Sequence, residues 1–496
     1  MDFFEIIKGE SNLLNLIQVS PILVLLLTGC VLMLLEAFKV RGYLAHIAGG
    51  GIILSIVLAL PPVMSGFASA AGFEETTQMA FAGMIRTDGM ASLVHIFLAV
   101  SGLFTLFFLG DFLKRQDKPI NDVYALIAFC LVGMSLLANA NDLIITFIGL
   151  ETMSICLYIM AGLFKKDLRS NEAGLKYFLL GAFAAGFFIY GIALLYGASG
   201  STNFSEMNFG AMALSPLFYP GMALLIIGFL FKVAAFPFHA WTPDVYTGSP
   251  TPLAGFMATG SKAAAFIALA TFFQQNPALY NDSKLVTVLA VVAVLTMIYG
   301  NIVAAQQSNL KRLLAYSSIA HAGYVLLAVA AGSGSGQAAV IFYMLIYTLM
   351  NIGAFGMLSM AEAKFEDNNM DSWRGLGIKD PWFGAGLSLF LLSLAGIPPL
   401  AGFMGKYFVF AAAIDSGLML PAVIGILTSV IGAFYYIRVI QLMYFNDKDE
   451  PTTRPVHHLV PVVGVVLLAV LVLVFGIFPG VLQEFMGDTV MGFAVR

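Results

Sequence analysis

The chain has 496 residues, 60% of them hydrophobic and only 10% charged, with a net charge of −4. A soluble globular domain carries about 25% charged residues, so the composition excludes a soluble enzyme and indicates an integral membrane protein. No Gly-rich phosphate loop, dinucleotide fingerprint or cysteine cluster is present to suggest a nucleotide or iron–sulfur site, and the charge balance gives no reason to expect nucleic acid.

Hydropathy over windows of about 19 residues predicts an all-α polytopic membrane protein of fourteen spans. They fall near 15–38, 43–65, 89–111, 121–139, 142–163, 171–198, 216–239, 253–275, 285–305, 311–331, 337–361, 382–413, 418–445 and 458–479. The first apolar run is long and follows Asp2, Glu5 and Glu10 rather than a basic segment, so it reads as a span and not a signal peptide. Cys30, Cys130 and Cys156 fall within spans without paired spacing and read as packing residues. The odd-numbered loops hold fifteen basic residues, Lys39, Arg41, Lys311 and Arg312 among them, against four on the opposite face. That bias predicts a cytoplasmic odd-loop side and both termini outside.

Ionisable residues inside the spans are few. Glu151 lies well inside span five and is the one clearly embedded carboxylate. Lys176 lies early in span six, four residues after Glu172, and the two can meet on one helix face. Lys232, Lys262 and Lys406 lie deep in spans seven, eight and twelve. His321 lies in span ten, with Ser317 and Tyr324 at helical spacing. A charged side chain near the bilayer centre costs about 2.5–3.5 kcal/mol, so such residues need a partner or a task. Lys176 also reads as a local ion pair with Glu172, and His321 as a hydrogen-bonded core histidine.

Two spans are interrupted. Span seven breaks at Pro237, five residues after Lys232, and a polar turn with His239 and Asp244 follows. Span twelve breaks at Pro398 and Pro399, just before Lys406. His239 is expected to cap a helix beside its break, and Asp244 to brace the turn. Breaks within a membrane helix are tolerated where protein or water covers the freed backbone groups. Interrupted spans five apart suggest two inverted five-helix repeats, spans 4–8 and 9–13, meeting near the midplane. The expected organisation is a three-helix segment over 1–120, repeats over 121–275 and 285–445, and a C-terminal helix within 446–496. Glu151 with Lys232 is the natural pair for a proton switch. Lys262 would be the next carrier and Lys406 the gate to the second half. A neutral imidazole at His321, with nearby serines, suits a water wire because it both gives and accepts a proton.

Three stretches carry a family resemblance. They are Phe238-His239-Ala-Trp241-Thr-Pro243-Asp244-Val-Tyr246-Thr-Gly-Ser-Pro250-Thr-Pro252, Lys311-Arg312-Leu-Leu-Ala-Tyr316-Ser-Ser-Ile-Ala-His321-Ala-Gly-Tyr324 and Gly396-Ile-Pro398-Pro399-Leu-Ala-Gly-Phe-Met-Gly-Lys406. Together they resemble the antiporter-like membrane subunits of respiratory complex I. Within that family the pattern is most similar to the N-type subunit of bacterial NADH–quinone oxidoreductase, since Lys406 stands where M-type chains carry a glutamate. The resemblance implies a two-repeat fold and a translocase subunit with a proton relay through Glu151, Lys176, Lys232, Lys262 and Lys406. It implies no redox cofactor in this chain: NADH, FMN, iron–sulfur clusters and quinone belong to partner subunits. It further implies a bacterial inner-membrane location, a neighbouring antiporter-like subunit, and small membrane subunits toward the quinone site. A cation/proton antiporter subunit, or a subunit of a related membrane-bound dehydrogenase or hydrogenase, is the alternative. The single deep carboxylate disfavours an alkali-cation site, which would need more oxygen ligands. A passive membrane spacer would not need five embedded ionisable residues.

Overall fold

The structure is a computed structural model that describes residues 15–40, 42–70, 79–117, 120–332, 334–362, 369–445 and 458–486. The expected placement of both termini rests on residues outside this set. So do several cations of the topology count, including Arg41, Lys118, Lys364, Lys448 and Arg454, and much of the expected segment 446–496.

The helices are α1 Ser20–Ala37, α2 Leu44–Ala70, α3 Gly89–Arg115, α4 Asp122–Ala138, α5 Leu143–Ala161, α6 Leu168–Ser199, α7 Phe218–Lys232 and α8 Trp241–Gly248. There follow α9 Thr251–Gln274, α10 Ser283–Ala305, α11 Leu310–Ala331, α12 Gly334–Glu362, α13 Pro381–Ala395, α14 Ala401–Asp415, α15 Met419–Phe445 and α16 Leu459–Ile477. Eleven helices among the described residues are long and apolar enough to cross a membrane, and α4, α7 and α13 are apolar but shorter. The protein is therefore an all-α, multi-pass membrane protein. A two-rung antiparallel hairpin, β1 Met79–Ala80 and β2 Ile85–Arg86, precedes α3, packs through Ala80 and Ile85 against Val19, Leu23, Leu136 and Ile145, and has no counterpart among the elements expected from the sequence.

Many starts are set by short acceptor side chains that bond the first free N–H groups. Asp88, Asp142, Asp167, Asp282, Asn309 and Asp380 cap α3, α5, α6, α10, α11 and α13 in this way. Lipid supplies no hydrophobic drive between helices, so close packing of small residues holds them together. Gly133 of α4 and Gly149 of α5 face each other across backbone: a Cβ at either would collide with the main chain of the other helix. Helices α9, α11 and α12 are enclosed along their whole apolar length, whereas only about a quarter of α1, α2 and α16 is covered.

Both expected interruptions are present. Helix α7 ends at Lys232 itself, because Ala234 adopts φ 60° and Pro237 has no N–H to continue the ladder. The freed groups find partners: Phe236 N donates to Thr296 Oγ1 (3.0 Å) and Trp241 Nε1 donates to the Phe231 carbonyl (3.1 Å). The stretch read as a turn is instead the two-turn helix α8, whose Pro243 stands in the first turn where a missing N–H is harmless. The second break runs from Gly396, left-handed at φ 86°, through Pro398 and Pro399 to Leu400.

Replacing Gly149 by Val forces α4 and α5 apart and is expected to cost about 1–3 kcal/mol. Gly50→Val, where no atom lies within 4 Å of a new Cβ, serves as the neutral control. Denaturation midpoints of the two purified variants in detergent check the difference.

Candidate functional site

The last residue of α7, Lys232, is only 2% exposed. Its Nζ donates to Ser154 Oγ on α5 (2.9 Å) and to the Tyr177 hydroxyl on α6 (3.3 Å). The Tyr158 and Tyr177 rings lie 5.9 and 5.4 Å from the amine, close enough for a cation–π contribution. Tyr177 in turn stacks on Trp241 of α8 at 4.3 Å, which ties this cluster to the interrupted helix. Glu151 lies one turn before Ser154. The expected Glu151–Lys232 ion pair is not formed: the amine is taken by hydroxyls, and Glu151 Oε1 is buried with no partner among the described residues.

The next amine, Lys262, is 1% exposed. It follows directly on a π-helical turn, Met257–Ser261, within α9. Such turns rotate the next side chains off the regular α register and recur at functional sites. Its Nζ donates to both the carbonyl and the hydroxyl of Ser318 on α11, each at 3.0 Å.

One turn further along α11 is His321, also buried. Its Nδ1 lies 2.6 Å from the Tyr343 hydroxyl of α12 and its Nε2 3.3 Å from the Tyr436 hydroxyl of α15. Both ring nitrogens are engaged, but not by Ser317 or Tyr324 as the spacing suggested; Tyr324 meets the imidazole ring edge-on at 5.6 Å. Lys406 of α14 donates to the Ala395 carbonyl at the end of α13 (2.7 Å), and its amine lies 5.5 Å from the Tyr324 ring. A Cβ on Gly396 would press to 3.0 Å from Lys406 Cδ, so this glycine is required both for its left-handed backbone and for room beside the lysine.

Lys176 stands apart from these buried groups. Its side chain is 41% exposed and bonds Glu172 at 2.6 Å and Asp244 at 2.8 Å. Asp244 also accepts from Arg312 at 3.0 Å, so it joins α6, α8 and α11 at the rim. His239 caps no helix through its side chain: its Nδ1 has no hydrogen-bond partner among the described residues, and its ring packs 4.3 Å from that of Tyr299.

Lys311, a cation at a span boundary, reads from the sequence as a loop residue that sets topology. It is 3% exposed in the first turn of α11. There it donates to the Ser249 carbonyl (2.6 Å) and faces Glu362 at 3.5 Å. Glu362 also accepts from Thr251. The tyrosine partners of His321 gave no signal in the sequence, since they come from distant helices.

Residues 140–432 match the family described as NADH:quinone oxidoreductase/Mrp antiporter, TM. The chain is 45% identical to the NADH-quinone oxidoreductase subunit N of Salinibacter ruber over 418 residues, covering 81% of this chain and 83% of that one. It is 42% identical over 489 residues to the protein of the same name from Trichlorobacter lovleyi, covering 95% and 96%. A chain in the structure of respiratory complex I from Thermus thermophilus shares the fold with a TM-score of 0.79 and 34% identity, covering 94% of this chain and 100% of that chain.

The two ion clusters at the rim differ in burial, and their deletions should differ accordingly. Asp244→Ala breaks pairs that are more than a third exposed and should cost under about 1 kcal/mol. Glu362→Ala leaves the Lys311 ammonium enclosed and should cost about 3 kcal/mol. Chemical denaturation of the purified variants measures both.

Proposed function

The chain belongs to the NADH:quinone oxidoreductase/Mrp antiporter membrane family, and from that premise we propose that it is a proton-translocating membrane subunit of a bacterial NADH–quinone oxidoreductase of complex I type. The observation that carries this reading is the set of enclosed amines, Lys232, Lys262 and Lys406, bonded to hydroxyls and carbonyls rather than to carboxylates. A cation held this way is not neutralised locally, so its proton occupancy responds to charge elsewhere. A unit charge arriving about 10 Å away, at an effective dielectric of about 20, changes the cost of keeping the amine protonated by about 1.7 kcal/mol. That exceeds a tenfold change in equilibrium, for which about 1.4 kcal/mol suffices.

On this reading a proton passes from the Glu151 side to Lys232, on to Lys262, across His321 and its tyrosines, and to Lys406. Lys176, bridged to Asp244, sets the charge at the rim beside the first interrupted helix. The spans number fourteen, with α7 and α8 forming one interrupted crossing and α13 and α14 another. The first inverted repeat then comprises α4 to α9 and the second α10 to α15, preceded by α1 to α3 and followed by α16. Both termini face the outer side of the inner membrane. The subunit carries no redox centre: NADH, FMN, iron–sulfur clusters and quinone reside in companion subunits. Those companions include a neighbouring antiporter-like subunit and the small membrane subunits toward the quinone. Energy released there arrives here as displaced charge.

Lys232→Ala is expected to assemble into the complex yet lower NADH-driven proton uptake by about tenfold or more. The measurements are proton flux in inverted membrane vesicles and subunit content on a native gel. Full proton stoichiometry in that variant would remove the role assigned to Lys232.

A further inference from the structure

A polar cavity lies away from this axis, between the ends of α1, α3 and α4 and the β hairpin. Gln18, Arg86, Thr87, His95 and Asn139 line it, together with Ala59 of α2. His95 sits in the second turn of α3 and is 2% exposed. Its Nδ1 lies 2.9 Å from Ser135 Oγ on α4. Its Nε2, Thr87 Oγ1 and Gln18 Oε1 are all buried, and among the described residues none of the three has a hydrogen-bond partner.

Three such atoms around one cavity are costly if it is dry, at about 1–3 kcal/mol for each unpaired buried group. A buried water typically makes about three hydrogen bonds, and the cavity is large enough to admit one. The charged groups nearby are already committed. Arg86 donates to Asp88 Oδ2 at 2.8 and 3.2 Å, and Asp88 Oδ1 accepts from Ala91 N at the start of α3. What remains is an amide oxygen, a hydroxyl and an imidazole. That set fits water better than an ion, and of the three only the imidazole has two nitrogens, one to accept and one to give a proton.

Inward of the cavity, α3 carries a further buried hydroxyl. Ser101 is six residues beyond His95 on α3, about 9 Å along the helix. It is fully buried and lies against the π-helical turn that precedes Lys262: a Cβ on Gly260 would approach Ser101 Oγ to 2.9 Å and Met134 Sδ to 3.1 Å. The Ser101 hydroxyl thus lies beside the turn before Lys262, where it donates to the Leu98 carbonyl (2.6 Å), and the Ser135 hydroxyl lies beside the imidazole.

We propose that this cavity is a water-binding proton-exchange site in which His95 and Ser135 connect the Lys262 region to the outer face. The proposal rests on the proton-pumping reading above. In each transfer the Ser135 hydroxyl gives its proton to Nδ1 and is reprotonated from the inner side. The Nε2 proton passes to the cavity water, and return of the ring to its starting tautomer completes the step with no net change in the residue.

Two measurements on the assembled complex test it. A cryo-electron-microscopy map that resolves ordered waters should show density bridging His95 Nε2, Thr87 Oγ1 and Gln18 Oε1; a dry cavity overturns the proposal. His95→Gln retains a hydrogen-bonding group toward Ser135 but cannot pass a proton, and His95→Phe fills the space. Both should lower proton release per quinone reduced by about tenfold. If His95→Phe fails to assemble, His95→Gln and Thr87→Val decide. Wild-type stoichiometry in the His95 variants, alongside loss in Lys232→Ala, overturns the outlet and leaves the pumping reading standing. Wild-type stoichiometry in all of them overturns both.

Discussion

The constraint on which the rest of this structure depends is that backbone polar groups within a bilayer must be satisfied by the protein itself. An uninterrupted helix meets it automatically. The two interrupted ones do not, and each recruits side chains to do so. At the first break the indole of Trp241 bonds the Phe231 carbonyl and Thr296 receives the Phe236 N–H. At the second, Lys406 bonds the Ala395 carbonyl and Ser393 Oγ accepts from Gly402 N. The polar interior thus follows from the breaks: once carbonyls and amides are freed there, hydroxyls and amines have a reason to be inside.

The partners of the enclosed lysines set the chemistry open to them. A carboxylate at contact distance holds an ammonium in one charge state, and removing either member of a buried pair is expensive. Hydroxyls and carbonyls solvate the cation without cancelling it, and hydroxyls also accept and pass protons. Direct ion pairs are found instead toward the rim, where Asp244 joins Lys176 and Arg312. The molecule thereby separates paired charge, which braces α8 against α6 and α11, from amines held by hydroxyls and carbonyls, which occupy the interior.

Much of this was legible because membrane sequences are sparse in polar residues. The apolar helices, the interruptions at Pro237 and at Pro398 and Pro399, and the buried positions of Lys232, Lys262, Lys406 and His321 all follow from apolar runs and the residues that break them. The Glu172–Lys176 contact follows from helical spacing alone. What was not legible depends on contacts between distant segments. Tyr343 and Tyr436 reach His321 from 22 and 115 residues away, and nothing local marks them among eighteen tyrosines. Ser154 and Tyr177 displaced Glu151 as the contacts of Lys232 for the same reason. Helix α8 was hidden by prolines that usually end helices but are harmless in a first turn. Lys311 was misplaced because hydropathy sees a cation at a boundary and not the carbonyl of Ser249 that draws it inward.

The complete enclosure of α9, α11 and α12 governs how the interior is reached from outside the molecule. A lipophilic compound dissolved in the acyl chains meets the greasy outer helices first, with Leu27, Leu58, Phe183 and Val470 turned outward. It does not touch the apolar lengths of those three central helices, whereas Lys232 borders a small pocket among α5, α6 and α7. For Lys262 on α9 and His321 on α11, whatever reaches the side chain must come between protein helices and not directly from the acyl chains.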